Sequence, residues 1–387
     1  MNPSDFTADS PGQLVKVPIQ GGVHAFVPAV PPSHIALSPA TEQLFESASI
    51  SLGVLRGLTE SLPNPNLLLR PFIRREAELS SRIEGTYASQ EDLLLFEVNP
   101  RFEQKKPDVR EVANYVQAME YGLGRLQKLP VSLRLIRELH ERLMKGVRGS
   151  DKNPGEFRKR QNYIGDQARG IAGARFVPPP VSELPRCLDE FERWLHVPSQ
   201  MRVLIQLCLL HYYFEAIHPF EDGNGRIGRL LLSLLLSERG LLPKPMLNLS
   251  AYFEGNRRAY QDHLLQVSQK GSWEPWIRFF LLGVFEQSED ASRKTKSLLE
   301  LRQQYRNQMQ SINASSRVLQ LVDDLFVTPG LTVPGVERRM KVTFPTAQSL
   351  LQKLISAGIL REATGLKRNR IYLAPAILEI LSVPGRT

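Results

Sequence analysis

Two long apolar stretches, separated by a short loop that contains two glycines, constrain this sequence more than any other feature. The first stretch runs from Val203 to Ile217 and is too long and unbroken for a strand, so it predicts a buried helix. The loop that follows contains Pro219 and a Gly-Asn-Gly turn, which interrupt a helix. The second stretch runs from Leu230 to Leu236. The sequence therefore predicts two buried helices joined by a tight turn, in a mainly α protein.

The start of the second helix has the properties of an anion-binding site. Its first backbone N–H groups have no partner within the helix, and the positive end of the helix dipole adds to their attraction for phosphate. Gly223 and Gly225 let the backbone approach such an anion closely. Arg226 and Arg229 add planar charged groups that pair with phosphate oxygens.

Two further side chains of the loop suit phosphate chemistry. Asp222 is a hard oxygen ligand, suited to holding Mg²⁺ against a polyphosphate. His218 titrates near neutrality and can take a proton from an attacking hydroxyl. Taken singly, a histidine at a helix end is usually a cap or a packed side chain, and an Asp-Gly-Asn-Gly segment is usually only a turn. The combination is what predicts a catalytic loop.

The string from His218 to Arg229 resembles the signature of the Fic family, HPFx(D/E)GNGRxxR, with every defining position filled. The similarity extends over roughly residues 70 to 285, and includes the segments Pro154–Arg158, Gln161–Gly165 and Asn256–Tyr260. Fic proteins mostly transfer AMP from ATP to a Ser, Thr or Tyr hydroxyl of a target protein. The resemblance therefore implies a protein adenylyltransferase with a Fic-type helical core, ATP as its substrate and Mg²⁺ as its cofactor.

The resemblance also implies a role for each residue of the signature. His218 is expected to be the general base for the target hydroxyl, and Asp222 is expected to hold the Mg²⁺ that bridges the phosphates. The other positions are expected to hold the nucleotide phosphates: the backbone of Gly223, Asn224 and Gly225 the α and β phosphates, Arg226 the β-phosphate and Arg229 the γ-phosphate.

A second motif matches the inhibitory pattern (S/T)xxxE(G/N) of the family through Ser80, Glu84 and Gly85. The pattern is common at helix ends closed by a glycine, so it gains its meaning from the Fic context. It implies an inhibitory helix at about residues 70 to 97 and a salt bridge from Glu84 to Arg229. That salt bridge would occupy the arginine that the γ-phosphate needs, so the protein would inhibit itself in cis.

Residues 161–180 are expected to form a β-hairpin flap beside the motif. Tyr163–Gly165 and Arg175–Val177 suggest two short strands around a glycine-rich tip. A segment of the target protein could pair with the exposed edge of the flap and so bring its hydroxyl near His218. The alternative is an ordinary exposed hairpin with no docking role.

Three residues are candidates for holding the adenine. Tyr252 and Asn256 are four apart on a predicted helix, so a ring that stacks and an amide that hydrogen-bonds could face one pocket. Tyr213 is a further candidate from the family pattern. Aromatic residues at helical spacing are also typical of a core, and that alternative remains open for all three.

The order of segments predicts four regions. They are an N-terminal arm and the start of the helical region at 1–66, the Fic domain at 67–285, a linker helix at 286–310 and a winged helix-turn-helix domain at 311–387. Three helices are expected in the last region at Arg317–Phe326, Val333–Met340 and Thr343–Leu354, with a hairpin made of Gly358–Glu362 and Arg370–Leu373 and a wing at Lys367–Arg370. The third helix would enter a DNA major groove in a DNA-binding version. Its Lys353 is its only cation, so dimerisation or target docking is an equal alternative.

The amino-acid composition limits which other classes of protein this chain can belong to. The 387 residues contain two cysteines and scattered histidines, which predict neither a disulfide framework nor a zinc site. The N-terminus lacks the pattern of a signal peptide and the leucine-rich helix is shorter than a membrane span, so we expect a cytoplasmic protein without membrane contact. The net charge of +9 does not distinguish ATP, nucleic acid or acidic partners.

Three alternatives to AMP transfer to target proteins remain open from the sequence. They are a DNA-binding regulator with a nucleotide-sensing core, transfer of another phosphate-containing group, and removal of AMP. Self-modification and homodimer formation are also possible.

Overall fold

The computed structural model describes residues 1–17, 22–62, 64, 67–98, 100–104, 106–197, 200–365 and 370–382. This part of the chain is mainly helical, as predicted. The α-helices are α1 (Pro39–Glu60), α2 (Leu69–Ile83), α3 (Gln90–Val98), α4 (Asp108–Arg125), α5 (Leu133–Leu143), α6 (Leu184–His196), α7 (Val203–Ile217), α8 (Asn224–Glu238), α9 (Leu249–Gly255), α10 (Arg257–Lys270), α11 (Trp273–Ser311), α12 (Ser316–Leu325), α13 (Val333–Met340), α14 (Phe344–Ser356) and α15 (Pro375–Ser382).

The strands form two small antiparallel sheets. In the first, β1 (Gly12–Lys16) pairs with β2 (His24–Pro28), with Gly12 opposite Pro28. The second has the strand order β3-β5-β4, where β3 is Gly330–Leu331, β4 is Arg361–Glu362 and β5 is Tyr372–Leu373.

The two helices that the apolar stretches predict, α7 and α8, lie at the centre of the main core. Helix α7 packs against α6, α8, α10 and α11, which explains why it is apolar around most of its circumference. Helix α2 packs against α4, α8 and α9, and α1 runs along α11. No helix of the described residues is long and apolar enough to cross a membrane.

The N-terminal arm that we expected within residues 1–66 contains regular secondary structure. The β1–β2 hairpin places Phe26 and Val27 in the core, and the Phe26 N–H donates to the Val177 carbonyl at 2.8 Å. The hairpin therefore supports the second arm of the flap from behind.

The flap is less regular than the two expected strands. Its arms meet in a single antiparallel bridge between Ile164 and Phe176, where the Ile164 N–H donates to the Phe176 carbonyl at 2.8 Å. The tip is not an open loop, because Gln167–Arg169 and Ile171–Gly173 form 3₁₀ turns. Regular pairing ends at Gly165, whose φ of +151° departs from that of a strand.

The expected linker helix at 286–310 is not a separate element. It is the second half of α11, which runs from Trp273 to Ser311 without a break. The helix continues because neither proline nor glycine follows Gly283 before the helix ends. The expected boundary between residues 285 and 286 therefore lies inside a helix.

The C-terminal region contains α12, α13 and α14 close to the three expected helices, followed by α15. Among the described residues, the strands of the expected hairpin are shorter than predicted: Arg361–Glu362 pairs with Tyr372–Leu373, the Ala363 N–H donates to the Ile371 carbonyl at 2.9 Å, and β3 joins as a third strand. The wing residues Lys367, Arg368 and Asn369 lie outside the described residues.

Candidate active site

The loop between α7 and α8 has a backbone that its sequence explains. Helix α7 ends at His218, which adopts a left-handed conformation with φ 49° and ψ 62°. Pro219 follows it and disfavours a right-handed helical residue at that position. Gly223 is also left-handed, with φ 78°, and α8 begins at the next residue. The Asn224 side chain closes the loop, because its Oδ1 accepts from the Phe220 N–H and its Nδ2 donates to the Phe220 carbonyl, both at 2.8 Å.

The two nitrogen atoms of the His218 ring differ in protonation. Its Nδ1 lies 3.3 Å from the Glu215 carbonyl oxygen, and since a carbonyl can only accept, Nδ1 carries the hydrogen. The lone pair is therefore on Nε2. Burial, helped by the charge of Arg158, lowers the pKa of His218 to about 4. The ring is thus neutral near pH 7 and able to accept a proton.

Arg158 fixes the position of His218 from behind. Its Nε donates to the His218 carbonyl at 3.0 Å and its Nη2 donates to the Pro179 carbonyl at 2.6 Å. Its backbone N–H also donates to the Pro219 carbonyl at 2.9 Å. This buried arginine therefore ties the catalytic loop to the second arm of the flap. This role was not predictable from the sequence, where Arg158 is only the last residue of the Pro154–Arg158 segment.

His140 supports the other end of the loop. Its Nδ1 accepts from the Gly155 N–H at 2.9 Å, so its Nε2 carries the hydrogen and donates to the Asp222 carbonyl at 3.0 Å. The ring stacks on Phe220 with 3.8 Å between centroids. Burial lowers the pKa of His140 to about 4, so the ring stays neutral in this structural role.

Glu84 and Arg229 form the ion pair that the resemblance implied. Arg229 Nη2 lies 2.7 Å from Glu84 Oε1, while its Nε donates to Ser80 Oγ at 2.9 Å and its Nη2 donates to the Ser80 carbonyl at 2.8 Å. Burial is the largest single influence and would raise the pKa of Glu84, but the charge and the hydrogen bond of Arg229, together with the charge of Arg226, outweigh it, and the pKa lies below its usual value. Gly85 ends this helix with a φ of +83°.

The Glu84 carboxylate occupies the predicted anion site at the start of α8. A Cβ atom on Gly225 would lie 2.3 Å from Glu84 Oε1, so only glycine admits the carboxylate there. The site therefore already contains an anionic group supplied by the chain itself. A phosphate of a bound nucleotide would compete for the same place.

Arg226 lies behind the loop and is only 2% exposed. Its Nη1 donates to Glu111 Oε2 at 3.0 Å, and Glu111 also accepts from Thr86 Oγ1 at 2.8 Å. The structure thus separates Arg226 from the cleft that Arg229 lines. Contact of Arg226 with the β-phosphate stays a prediction.

The carboxylate oxygens of Asp222 are suitable ligands for a metal ion. Its Oδ1 accepts from the Gly223 N–H at 2.6 Å, and its Oδ2 lies 3.5 Å from Lys152 Nζ, so the second oxygen already faces a cation. The carboxylate is partly exposed, at 32%. One carboxylate together with substrate phosphates is a usual donor set for Mg²⁺. Among the described residues, no group of three His, Cys, Asp or Glu side chains could hold a metal by itself.

A cleft of about 520 Å³ opens beside His218. His218, Gly225 and Arg229 line it together with Glu84. The flap and the helices α7 and α10 line the rest, with Ile164, Gly165, Arg175, Phe176, Tyr212, Glu215, Tyr260, Gln261, Leu264, Leu265 and Ser268 among the lining residues. The lining of the cleft therefore contains both charged and apolar side chains.

The three adenine candidates do not lie among the lining residues of this cleft. The Tyr213 hydroxyl lies 3.5 Å from Glu190 Oε2, on the α6 side. The Tyr252 ring packs against Phe279 with 4.8 Å between centroids, and Asn256 Nδ2 donates to the Tyr252 carbonyl at 3.0 Å. This placement gives their nucleotide role no support. The aromatic residues among those that line the cleft are Phe176, Tyr212 and Tyr260.

Glu215 is a cleft residue that the sequence reasoning missed. Its Oε1 is buried and has no hydrogen-bond partner among the described residues, and a Cβ atom on Gly228 would lie 2.2 Å from it. Burial raises the pKa of Glu215 to about 7. The available signal was a single charged residue in the otherwise apolar α7.

Two family models match the chain. Residues 42–124 match the model described as Fic/DOC family N-terminal, and residues 130–236 match the model described as Fic/DOC family. The chain therefore contains an N-terminal region and a domain of the Fic/DOC family. The second match ends within α8 and includes the whole catalytic loop.

Relatives and solved structures agree with this family. A Drosophila ananassae protein named "Protein adenylyltransferase Fic" is 33% identical over 172 residues, which are 44% of this chain but only 31% of that protein. A crystal structure of a Fic family protein from Desulfovibrio desulfuricans G20 has a TM-score of 0.54 at 20% identity, and covers 89% of this chain and 98% of that chain. Fic-1 from C. elegans has a TM-score of 0.50 at 21% identity, over 68% and 75% of the two chains. These structural likenesses show a Fic-type fold.

Proposed function

We propose that this protein transfers AMP from ATP to a hydroxyl group of a protein, and that Glu84 inhibits the transfer. The observation that supports this proposal most directly is that a neutral histidine lies in the same cleft as an anion site made by Gly225 and Arg229. The lone pair of this histidine is on Nε2. The name of the 33% identical relative, protein adenylyltransferase, supports the reaction class.

In this reaction the target hydroxyl gives its proton to His218 Nε2. The hydroxyl oxygen then attacks the α-phosphorus of ATP, and the bond from that phosphorus to the pyrophosphate oxygen breaks. The N-terminus of α8 and Arg229 stabilise the charge on the phosphates. Asp222 would hold Mg²⁺, which when bound neutralises charge on the phosphates and the leaving pyrophosphate.

Inhibition follows from the competition for Arg229. With Glu84 and Ser80 bound to its guanidinium, the Nε and Nη2 donors of Arg229 are not available to a γ-phosphate. The Glu84 carboxylate would also repel a phosphate at the N-terminus of α8. ATP can therefore bind in its productive pose only after Glu84 has moved away.

The flap is the proposed docking place of the target segment. Ile164 and Gly165 are exposed and line the cleft, while the opposite arm is held by Phe26 and Arg158. A target strand beside Ile164 would bring its hydroxyl towards His218. Binding of DNA through residues 311–387, homodimer formation, self-modification and a cytoplasmic location stay predictions.

The decisive experiment is intact-mass spectrometry after incubation with ATP and Mg²⁺. We expect Glu84→Gly to gain AMP units on itself or on added lysate proteins much faster than the wild type. Adding His218→Ala to Glu84→Gly should lower that rate by roughly 10² to 10⁴-fold, because proton transfer is lost.

Glu84→Gln is the matched control, since it keeps the size of the side chain and removes only its charge. It should activate less than Glu84→Gly, because its amide oxygen can still accept from Arg229. If Glu84→Gly binds ATP but transfers no AMP to any protein, the proposal is wrong.

A further inference from the structure

The inhibitory helix α2 is held by the C-terminal domain as well as by the active site. Arg74, near its start, is only 1% exposed. Its Nε and Nη2 donate to the two carboxylate oxygens of Glu97 on α3, at 3.0 and 2.7 Å. Its Nη1 donates to the carbonyl oxygen of Val327, just after α12, at 3.3 Å. One arginine therefore joins α2, α3 and the C-terminal domain.

The helix that follows α2 is attached to the same domain by apolar contacts. Leu94 on α3 forms a buried cluster with Ile371 and with Leu373 of β5, and Leu378 of α15 packs against that cluster. A Cβ atom on Gly330 of β3 would lie 3.8 Å from Leu94, so β3 also approaches α3. The three-stranded sheet of the C-terminal domain thus covers one face of α3.

A row of ion pairs continues from this interface along α2 towards Glu84. Arg75 Nη2 donates to the Ser382 carbonyl at 3.4 Å, and Arg75 Nη1 lies 3.1 Å from Glu78 Oε2. Glu78 Oε1 in turn lies 2.5 Å from Arg82 Nη2. Only one residue separates Arg82 from Glu84.

We propose that the C-terminal domain, residues 312–382, positions the inhibitory helix, with Arg74 as the positioning residue, so that docking of this domain sets the strength of inhibition. The inference rests on the proposed function, because it concerns the same Glu84–Arg229 contact. It assigns the C-terminal domain a task inside the molecule that needs neither DNA nor a second copy of the chain.

The physical reason is the stiffness of α2. Its 15 residues form a rod about 22 Å long, so a displacement at Glu84 moves the Arg74 end unless the helix unwinds. Release of Arg229 by movement of the whole helix therefore breaks the contacts with Glu97, Val327 and Ser382 as well. Undocking the C-terminal domain removes those contacts beforehand and makes the release easier.

The test uses full-length variants on both sides of the interface. Arg74→Ala removes the bonds from α2, and Leu378→Asp places a charge in the apolar cluster from the side of the C-terminal domain. Each should raise AMP transfer over the wild type by roughly 5 to 150-fold, the range of typical coupling between sites. Arg74→Lys should restore part of the inhibition, because it keeps the charge but not the two-pronged contact.

Matched controls separate this coupling from general damage. Glu379→Gln changes an exposed residue next to Leu378 on α15 and should leave AMP transfer unchanged. In a Glu84→Gly background, Arg74→Ala and Leu378→Asp should produce no further increase, since the contact that they release is already absent. A variant that only damages the fold would lower the rate in both backgrounds.

The outcomes also distinguish this inference from the proposed function. If Glu84→Gly transfers AMP while folded Arg74→Ala and Leu378→Asp both remain as inhibited as the wild type, Glu84 leaves by rotation of its side chain alone, and the C-terminal domain has no such role. If Glu84→Gly itself transfers no AMP, the proposed function fails first.

Discussion

Glu215 has a buried carboxyl group, one oxygen of which lacks a hydrogen-bond partner among the described residues. It lines the cleft three residues before His218. The charge of Arg229 lowers its pKa and that of Glu84 raises it, but burial is the largest influence and sets the pKa at about 7. The protonated form is therefore favoured in the folded protein below that pH.

We predict that Glu215→Gln stabilises the folded protein at alkaline pH. The pKa of Glu215 is raised from about 4.5 to about 7, so the wild type loses stability as the pH rises through this window. Above pH 7 the difference should approach about 3 kcal/mol at most, from 1.4 kcal/mol for each pH unit. Urea unfolding at pH 5 and pH 8.5 measures it.

The expected pattern for Glu215→Gln is a difference at pH 8.5 that nearly vanishes at pH 5. An equal free energy of unfolding for both proteins at pH 8.5 would show that the buried carboxylate has a compensating partner. Glu221→Gln, at a partly exposed carboxyl group of the catalytic loop, is a suitable control and should change neither value much.

Single residues could be predicted where a motif fixes both type and place. The Glu84–Arg229 pair is an example, since the family pattern specifies both partners. The adenine candidates show the limit, because Tyr212 and Tyr213 are neighbours on an apolar helix and no periodicity distinguishes their faces. Only the packing of α6 against one side of α7 decides that Tyr213 faces Glu190 while Tyr212 faces the cleft.

At the scale of elements, the loop between α7 and α8 and the flap form one unit. Arg158 donates to His218 on the loop and to Pro179 on the flap, while Asn162 Nδ2 donates to the Phe220 carbonyl at 2.9 Å. Since backbone pairing within the flap is limited to the bridge between Ile164 and Phe176, these side chains set its distance from the histidine. The position of the flap therefore depends on these side-chain hydrogen bonds and not on regular strand pairing.

We predict that Arg158→Met lowers AMP transfer in the Glu84→Gly background by roughly 10²-fold. Methionine fills similar space but cannot donate to His218 or Pro179, and misplacing a reacting group by about 1 Å can cost this much. The rate of AMP transfer and the rate of proteolytic cleavage between residues 161 and 180 measure the two effects.

Both effects of Arg158→Met should appear together, with slower transfer and faster cleavage of the flap. Arg160→Met, at an exposed position two residues away, should change neither. A slower transfer with an unchanged flap would place the role of Arg158 in the loop alone.

Elements with a clear helical period were predictable from the sequence, and those that depend on distant partners were not. Helices α7, α12, α13 and α14 lie close to their predicted ranges. The N-terminal hairpin was missed because β2 is stabilised by Val177, about 150 residues away along the chain. The flap strands were overestimated for the same reason, since their conformation depends on Phe26 and Arg158.

At the scale of the whole molecule, α11 joins the Fic core to the C-terminal domain. Its first half contributes the fully buried Trp276 and Phe280 to the core, and its second half pairs Arg302 and Arg306 with Asp323 of α12, both at 2.7 Å. The sequence suggested a linker here because its composition becomes polar. A polar helix can also fix the position of one domain relative to another, provided that it is continuous and packs against a domain at each end.

We predict that Gln304→Pro separates the molecule into two thermal unfolding units. Proline at this exposed position removes a helical hydrogen bond and clashes with the preceding turn, at a cost of about 3 kcal/mol. The C-terminal domain should then unfold before the Fic core in differential scanning calorimetry, whereas the wild type and the control Gln304→Ala should show one transition.

Because the loosened domain no longer holds Arg74, AMP transfer by Gln304→Pro should also exceed that of Gln304→Ala. A single transition with unchanged transfer would mean that the contacts of α2 and α3 hold the domain without help from α11.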